Sequence, residues 1–171
     1  YPQINVARAD LLLDAGGSII LSGNARRSNQ WDPATAPTAA GITLGVNATA
    51  SLRATNDIVI REFESTNGRG GAIYMDGTAN GMTLNADRKI LISNNQAYYG
   101  GAIYLEPAST SYITFSSPDT RVENNHADHS GGIAILPPTM STAFVSTKAN
   151  YNTANMSACT LAFSELEPTI S

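Results

Sequence analysis

The chain has 171 residues, a formal charge of −4 and only 14% charged residues, against about 25% in an ordinary soluble domain. With no basic run longer than Arg26-Arg27 or Arg88-Lys89, nucleic acid and anionic membrane surfaces are excluded as partners. A single cysteine, Cys159, excludes an intrachain disulfide and a cysteine zinc site, and no stretch approaches the ~20 apolar residues that span a bilayer.

Residues 1–41 are the less regular part. They open at Tyr1-Pro2 with no initiator Met or secretory leader, so the chain reads as a mature or excised fragment. Within them Gly16-Gly17-Ser18-Ile19-Ile20-Leu21 reads as an early relative of the Gly-Gly segment at Gly70. Strand-sized signals then come in order: Ile42-Thr43-Leu44, Ser51-Leu52-Arg53 and Ile58-Val59-Ile60, followed by Gly70-Gly71-Ala72-Ile73-Tyr74-Met75. The sequence continues with Met82-Thr83-Leu84, Lys89-Ile90-Leu91-Ile92 and a second copy, Asn95-Gln96-Ala97-Tyr98-Tyr99-Gly100-Gly101-Ala102-Ile103-Tyr104-Leu105. Tyr112-Ile113-Thr114-Phe115 and Arg121-Val122-Glu123 lead into a third copy from Asn125 through Gly131-Gly132-Ile133 to Leu136, with one extra residue. A degenerate fourth runs from Asn152 through Ala154 to Leu161, and residues 163–171 are irregular again.

Gly70 to Gly100 is 30 positions, Gly100 to Gly131 is 31, and Asn125 to Asn152 is 27. Repetition at that spacing, with about three short strands and Asn/Asp/Gly/Pro turns per period, is the arithmetic of a β-solenoid. The expected fold is all-β: a right-handed parallel β-helix of about 5–6 coils of roughly 27–31 residues, three short strands per coil. Stacking at about 4.8 Å per coil makes a rod roughly 25 Å long. Residues 1–171 read as a single segment of a longer solenoid, with the clearest repeats over 58–162.

Gly-Gly lets the backbone take positive φ at the turn. Alternation then places Ile73, Ile103 and Ala134, with Met75, Leu105 and Leu136, on the inward face. Ile92 and Val122 stack inward likewise, joined by Phe63. Asn95, Asn125 and Asn152 form a hydrogen-bonded turn ladder rather than a catalytic set.

The outward face holds the candidate site. Stacking puts Tyr74 over Tyr104 and Asp76 over Glu106, a column that continues as Ile135 and Leu161. Tyrosine rings with acids beside them form a stripe that binds sugar rings or a partner surface. As a retaining glycosidase pair the acids lack a cleft between them. His126 and His129 fall in a turn beside Asp128 and lack a third ligand, so no metal, cofactor or catalytic residue is assigned. Two sequons, at Asn47 and Asn155, are open to glycosylation in a eukaryotic secretory setting.

Gly-Gly-Ala-Ile, at Gly70 to Ile73 and again at Gly100 to Ile103, resembles the hallmark repeat of the chlamydial polymorphic outer-membrane proteins. Their second hallmark is Phe-x-x-Asn. Here it becomes Ile92-Ser93-Asn94-Asn95 and Val122-Glu123-Asn124-Asn125, while Phe63-Glu64-Ser65-Thr66 keeps the Phe and loses the Asn. The resemblance covers residues 58 to 162. It implies an autotransporter passenger, a β-helix at the outer membrane or cell surface that adheres to host cells.

The expected function is therefore a non-enzymatic surface module, an adhesin or passenger stalk. Its partner would be a host-cell or matrix protein or glycan, or a second copy of itself. It would meet a membrane only through parts outside this chain. The rivals are a repeat subunit of an extracellular filament and a polysaccharide lyase or hydrolase on a pectate-lyase-like β-helix. Against the last, Asp57, Asp76, Asp87, Asp119 and Asp128 fall at different points of the period.

Overall fold

The computed structural model describes residues 4–23, 41–76, 80–105, 112–129, 132–135, 141–143, 147–150 and 153–156. Nineteen strands and no helix lie among them. They wind as five successive coils. The first contributes β1 (Ile4–Val6), β2 (Asp10–Ala15) and β3 (Ile19–Ser22), and the second β4 (Ile42–Leu44), β5 (Thr49–Ala54), β6 (Asp57–Arg61) and β7 (Glu64–Arg69). The third holds β8 (Ile73–Met75), β9 (Gly81–Ala86), β10 (Lys89–Ser93) and β11 (Gln96–Tyr99). The fourth holds β12 (Ile103–Leu105), β13 (Tyr112–Ser116), β14 (Asp119–Glu123) and β15 (His126–His129), and the fifth β16 (Ile133–Ile135), β17 (Ser141–Ala143), β18 (Thr147–Asn150) and β19 (Thr153–Met156).

Every pairing between coils is parallel, and equivalent strands form four sheets: β1-β4-β8-β12-β16, β2-β5-β9-β13-β17, β3-β6-β10-β14-β18 and β7-β11-β15-β19. This is a parallel β-helix. It differs from the expected three strands per coil by the fourth sheet, whose strands look like turns in the sequence. Their inward residue is small, Ala97 or Ala127 in register with Ser65, so the segment lacks the apolar alternation by which a strand is recognised. His126 and His129 accordingly lie on β15 rather than in a turn.

Alternation along each strand turns every second side chain inward, and coil-on-coil register converts those residues into columns. Ile42, Ile73 and Ile103 form one column, Leu52, Leu84 and Phe115 another, and Ile60, Ile92 and Val122 a third; all are fully buried. Each such side chain contributes about 1.5–3 kcal/mol through its removal from water. Thr120 stands fully buried in the column of Ile58 and Ile90, and its hydroxyl has no hydrogen-bond partner.

Register corrects four details of the sequence reading. Ile133 and Ile135, not Ala134 and Leu136, are in line with Ile103 and Leu105, and Ala134 pairs with Tyr104. The third repeat therefore carries no extra residue: the Ala102 amide donates to Gly132 O as the Ala72 amide donates to Ala102 O, so Gly132 occupies the alanine position. Gly16-Gly17 precedes β3, whose Ile19 pairs with Ile58, so it is a turn into another sheet and not a relative of Gly70-Gly71. Phe63 is buried, yet it lies one place before Glu64, which pairs with Gln96; it thus occupies the column of Asn95 and not that of Ile92. Leu136, Asn152, Cys159 and Leu161 lie outside the described residues, as does Arg26-Arg27.

Candidate functional site

Two corners frame the fourth sheet. At its start, Asn94 and Asn124 adopt φ of 55° each, and Glu62 of 62°, a left-handed bend that Asn tolerates better than most residues. The next residue turns inward. Asn95 Nδ2 and its own amide both donate to Asn125 Oδ1, at 2.9 and 3.0 Å, and the Phe63 amide donates to Asn95 Oδ1 at 3.1 Å. Asn125 Nδ2 donates to Ile92 O at 3.0 Å. Both side chains are buried. The Asn column thus satisfies backbone groups that the bend withdraws from the ladder, and at Phe63 it changes to a ring that fills the same position.

At the other end of that sheet, Gly70 and Gly100 take φ of 69° and 60°. Gly71 is required for space: a Cβ there would run into Gly101 O and lie 2.9 Å from the Gln96 backbone. This corner brings the end of one strand of the fourth sheet against the start of the next strand of the first sheet. It therefore gathers Arg69, Tyr98 and Tyr99 beside Tyr74 and Tyr104. The Tyr74 and Tyr104 rings stack with centroids 6.0 Å apart and an interplanar angle of 21°. Tyr99 tilts against Tyr104 at 6.2 Å, Tyr98 meets Tyr99 edge-on at 4.7 Å, and the Arg69 guanidinium carbon lies 5.2 Å from the Tyr104 centroid, within cation–π range.

The expected overlay of Tyr74 on Tyr104 is therefore present, but Tyr104 is only 3% exposed. Its ring is the floor of an aromatic cluster whose half-buried members are Tyr74, Tyr98, Tyr99 and Arg69. Asp76 is half-buried just past β8, its amide bonded to Leu44 O; Glu106 lies outside the described residues. The column continues as Ala134, not Ile135. Arg69 is not legible in the sequence because β7 carries two residues more than β11 between Ser65 and Arg69, a bulge that breaks the count from the Asn corner. The next member of the column on the other side, Thr43, is 5% exposed, and its hydroxyl has no hydrogen-bond partner.

The charged residues are arranged differently from the sequence expectation. Asp57 and Asp119 share one outward column with Lys89 between them. Arg88 bonds Asp57 at 3.0 Å, and Arg121 bonds Asp119 at 2.8 Å. The hydrogen bond to Asp119 and that carboxylate's charge raise the Arg121 guanidinium above its ordinary pKa. Among the described residues no group of three His, Cys, Asp or Glu side chains is placed to hold a metal ion. Asn47 is exposed at a corner with φ of 52°, and the Thr49 hydroxyl of its sequon donates to Asp10 Oδ1. Asn155 lies on β19.

A family model for the Chlamydia polymorphic membrane protein repeat matches residues 89–106. The match runs through β10, the Asn95 corner, β11, the Gly100-Gly101 corner and β12, so it spans both corners and the three strands that flank them. No curated protein and no solved structure gives a significant match to the chain. That repeat family is located at the outer membrane and cell surface.

Proposed function

We propose that the chain is a non-enzymatic β-helix module of a surface protein, an adhesin or passenger stalk that holds a contact face away from the cell. The observation that carries this reading is the coincidence of the family repeat with one structural unit, both corners and three strands, whose register recurs in the neighbouring coils. A stack of repeated corners makes a stiff rod, and its outward residues are free to vary without disturbing the core. Acids paired with arginines on an open sheet face suit a solvated surface better than hydrolysis, which needs two carboxylates across a substrate cleft.

Beads coated with the purified chain test the proposal. They should attach to cultured host epithelial cells above albumin-coated beads, and soluble chain should compete. Failure to attach at saturating coating, or turnover of pectin, alginate or glycosaminoglycan above background, would overturn it. A second reading is pairing with another copy along the edge of β2 and β3, where Leu12 is 68% and Ile20 60% exposed. Light scattering showing a monomer across the micromolar range would remove that reading.

A further inference from the structure

Among the described residues, the tyrosine most open to solvent is not in the cluster beside Gly70-Gly71. Tyr112, the first residue of β13, is 43% exposed, whereas Tyr104 is 3%. Tyr112 pairs across the coil interface with Gly81 of β9. A Cβ on Gly81 would lie 2.5 Å from Tyr112 Cζ, 2.6 Å from its hydroxyl oxygen and 2.7 Å from Cε1. The far half of the ring therefore occupies the place that a side chain at position 81 would take. Gly81 is not one of the positive-φ glycines, so the backbone does not require glycine there; the ring does. Tyr112 lies down over the strand of the preceding coil, with one side against the backbone and the other to water.

The surroundings decide what such a ring can meet. β9 and β13 contain no charged residue. Their outward positions beyond the ring are Thr83 and Thr114 in one column, which Ser51 extends, and Asn85 and Ser116 in the next, which the exposed Arg53 extends with Asp14 in register beyond it. The five uncharged side chains are half-buried or exposed. Outward columns are about 7 Å apart along the strand and rungs about 4.8 Å apart, so the hydroxyl and amide groups of β9 and β13 form a regular grid beside the ring, with Arg53 at its far corner. Each Ser or Thr hydroxyl can donate and accept, and Asn does both. The negative face of an aromatic ring attracts polarised C–H groups.

We infer that Tyr112, laid over Gly81, is a stacking platform for a pyranose ring, and that the Ser51–Thr83–Thr114 and Asn85–Ser116 columns bind the hydroxyls of an uncharged oligosaccharide. The C–H face of one sugar covers the ring while its neighbours run over the grid. The ring already lies over Gly81 in the free chain, so no rearrangement of the strand is needed to present it. An acidic glycan meets no cation on these two strands, and the Arg53 that extends the Asn85 column already has Asp14 beside it in register. This inference rests on the adhesive reading above and names the ligand class that reading leaves open.

The test is saturation-transfer NMR and titration of the whole chain against cellohexaose, laminarihexaose, mannohexaose and chitotriose, with sialyllactose and trigalacturonate as charged comparators. At least one neutral oligosaccharide should bind, more tightly than either charged one. Tyr112→Ser should weaken it about tenfold and Tyr112→Phe less than about threefold, since one aromatic contact is worth on the order of 1 kcal/mol. Gly81→Val retains the tyrosine but displaces its ring, and should weaken binding at least fivefold with an unchanged circular dichroism spectrum. If no neutral oligosaccharide binds, if the charged ones bind better, or if Tyr112→Ser and Gly81→Val both stay within twofold of the parent, the inference fails. Bead attachment to cells that persists without saccharide binding sinks this inference alone. Loss of attachment with saccharide binding intact sinks the adhesive reading instead.

Discussion

The chain contains Gly-Gly at residues 16–17 and again at 70–71, and the two pairs do different work. A Cβ on Gly16 or Gly17 would meet nothing within 4 Å, and neither is among the positive-φ glycines. Gly70 has φ of 69°, and a Cβ on it would run into Ile73 O; a Cβ on Gly71 would run into Gly101 O of the next coil. The first pair is a turn with open space around it, and the second is a corner pressed between coils. A dipeptide does not carry its constraint with it; the neighbour stacked above or below imposes the constraint.

That contrast can be broken most directly at Gly71. Gly71→Ala must push apart two backbones, so it should destabilise the chain by more than about 3 kcal/mol or prevent folding, read from guanidinium denaturation. Gly16→Ala should stay within about 0.5 kcal/mol, the range of an ordinary surface change. Equal costs at the two sites would show that the corner is not held by coil contact.

The opposite corner sharpens the point with a polar residue. Asn95→Ala leaves the Phe63 amide buried without its acceptor and removes one of the two donors to Asn125 Oδ1. The expected loss is about 2–3 kcal/mol, and amide hydrogen exchange should quicken first at Phe63 and Gln96. A loss confined to global stability, with exchange at those amides unchanged, would detach the Asn column from the corner. Thr120→Val takes the comparison into the core, where stacking imposes an apolar column on a hydroxyl. It should raise stability by about 1 kcal/mol, since the hydroxyl is fully buried without a partner; a lower denaturation midpoint would mean that the hydroxyl is satisfied in solution.

Much of the architecture is legible in the sequence. The recurrence of Gly-Gly-Ala-Ile and of Asn95 and Asn125 marks both corners, and the aliphatic strands between them mark three of the four sheets. The fourth escapes detection because Ala97 and Ala127 bury little and β7 carries a two-residue bulge. The Phe-x-x-Asn comparison falls three residues off for a related reason: Phe63 matches the motif by letter, whereas register aligns Ile60-Arg61-Glu62-Phe63 with Ile92-Ser93-Asn94-Asn95. The aromatic stripe is half legible. Spacing places Tyr74 over Tyr104, yet no spacing shows that Tyr99 and Arg69 close over Tyr104 from the next sheet.

By itself the sequence determined the periodicity, and with it the parallel stack, because one coil cannot bury its apolar face and each copy must lie on its neighbour. Only the tertiary structure decided which positions share a column, because a single inserted or missing residue between corners shifts every later letter while hydrogen bonding between coils restores the register. That register separates a tyrosine buried at position 104 from one laid open at position 112. The outcome depends on residues some 30 positions away in the chain and about 4.8 Å away in space, a relation that proximity in sequence does not encode.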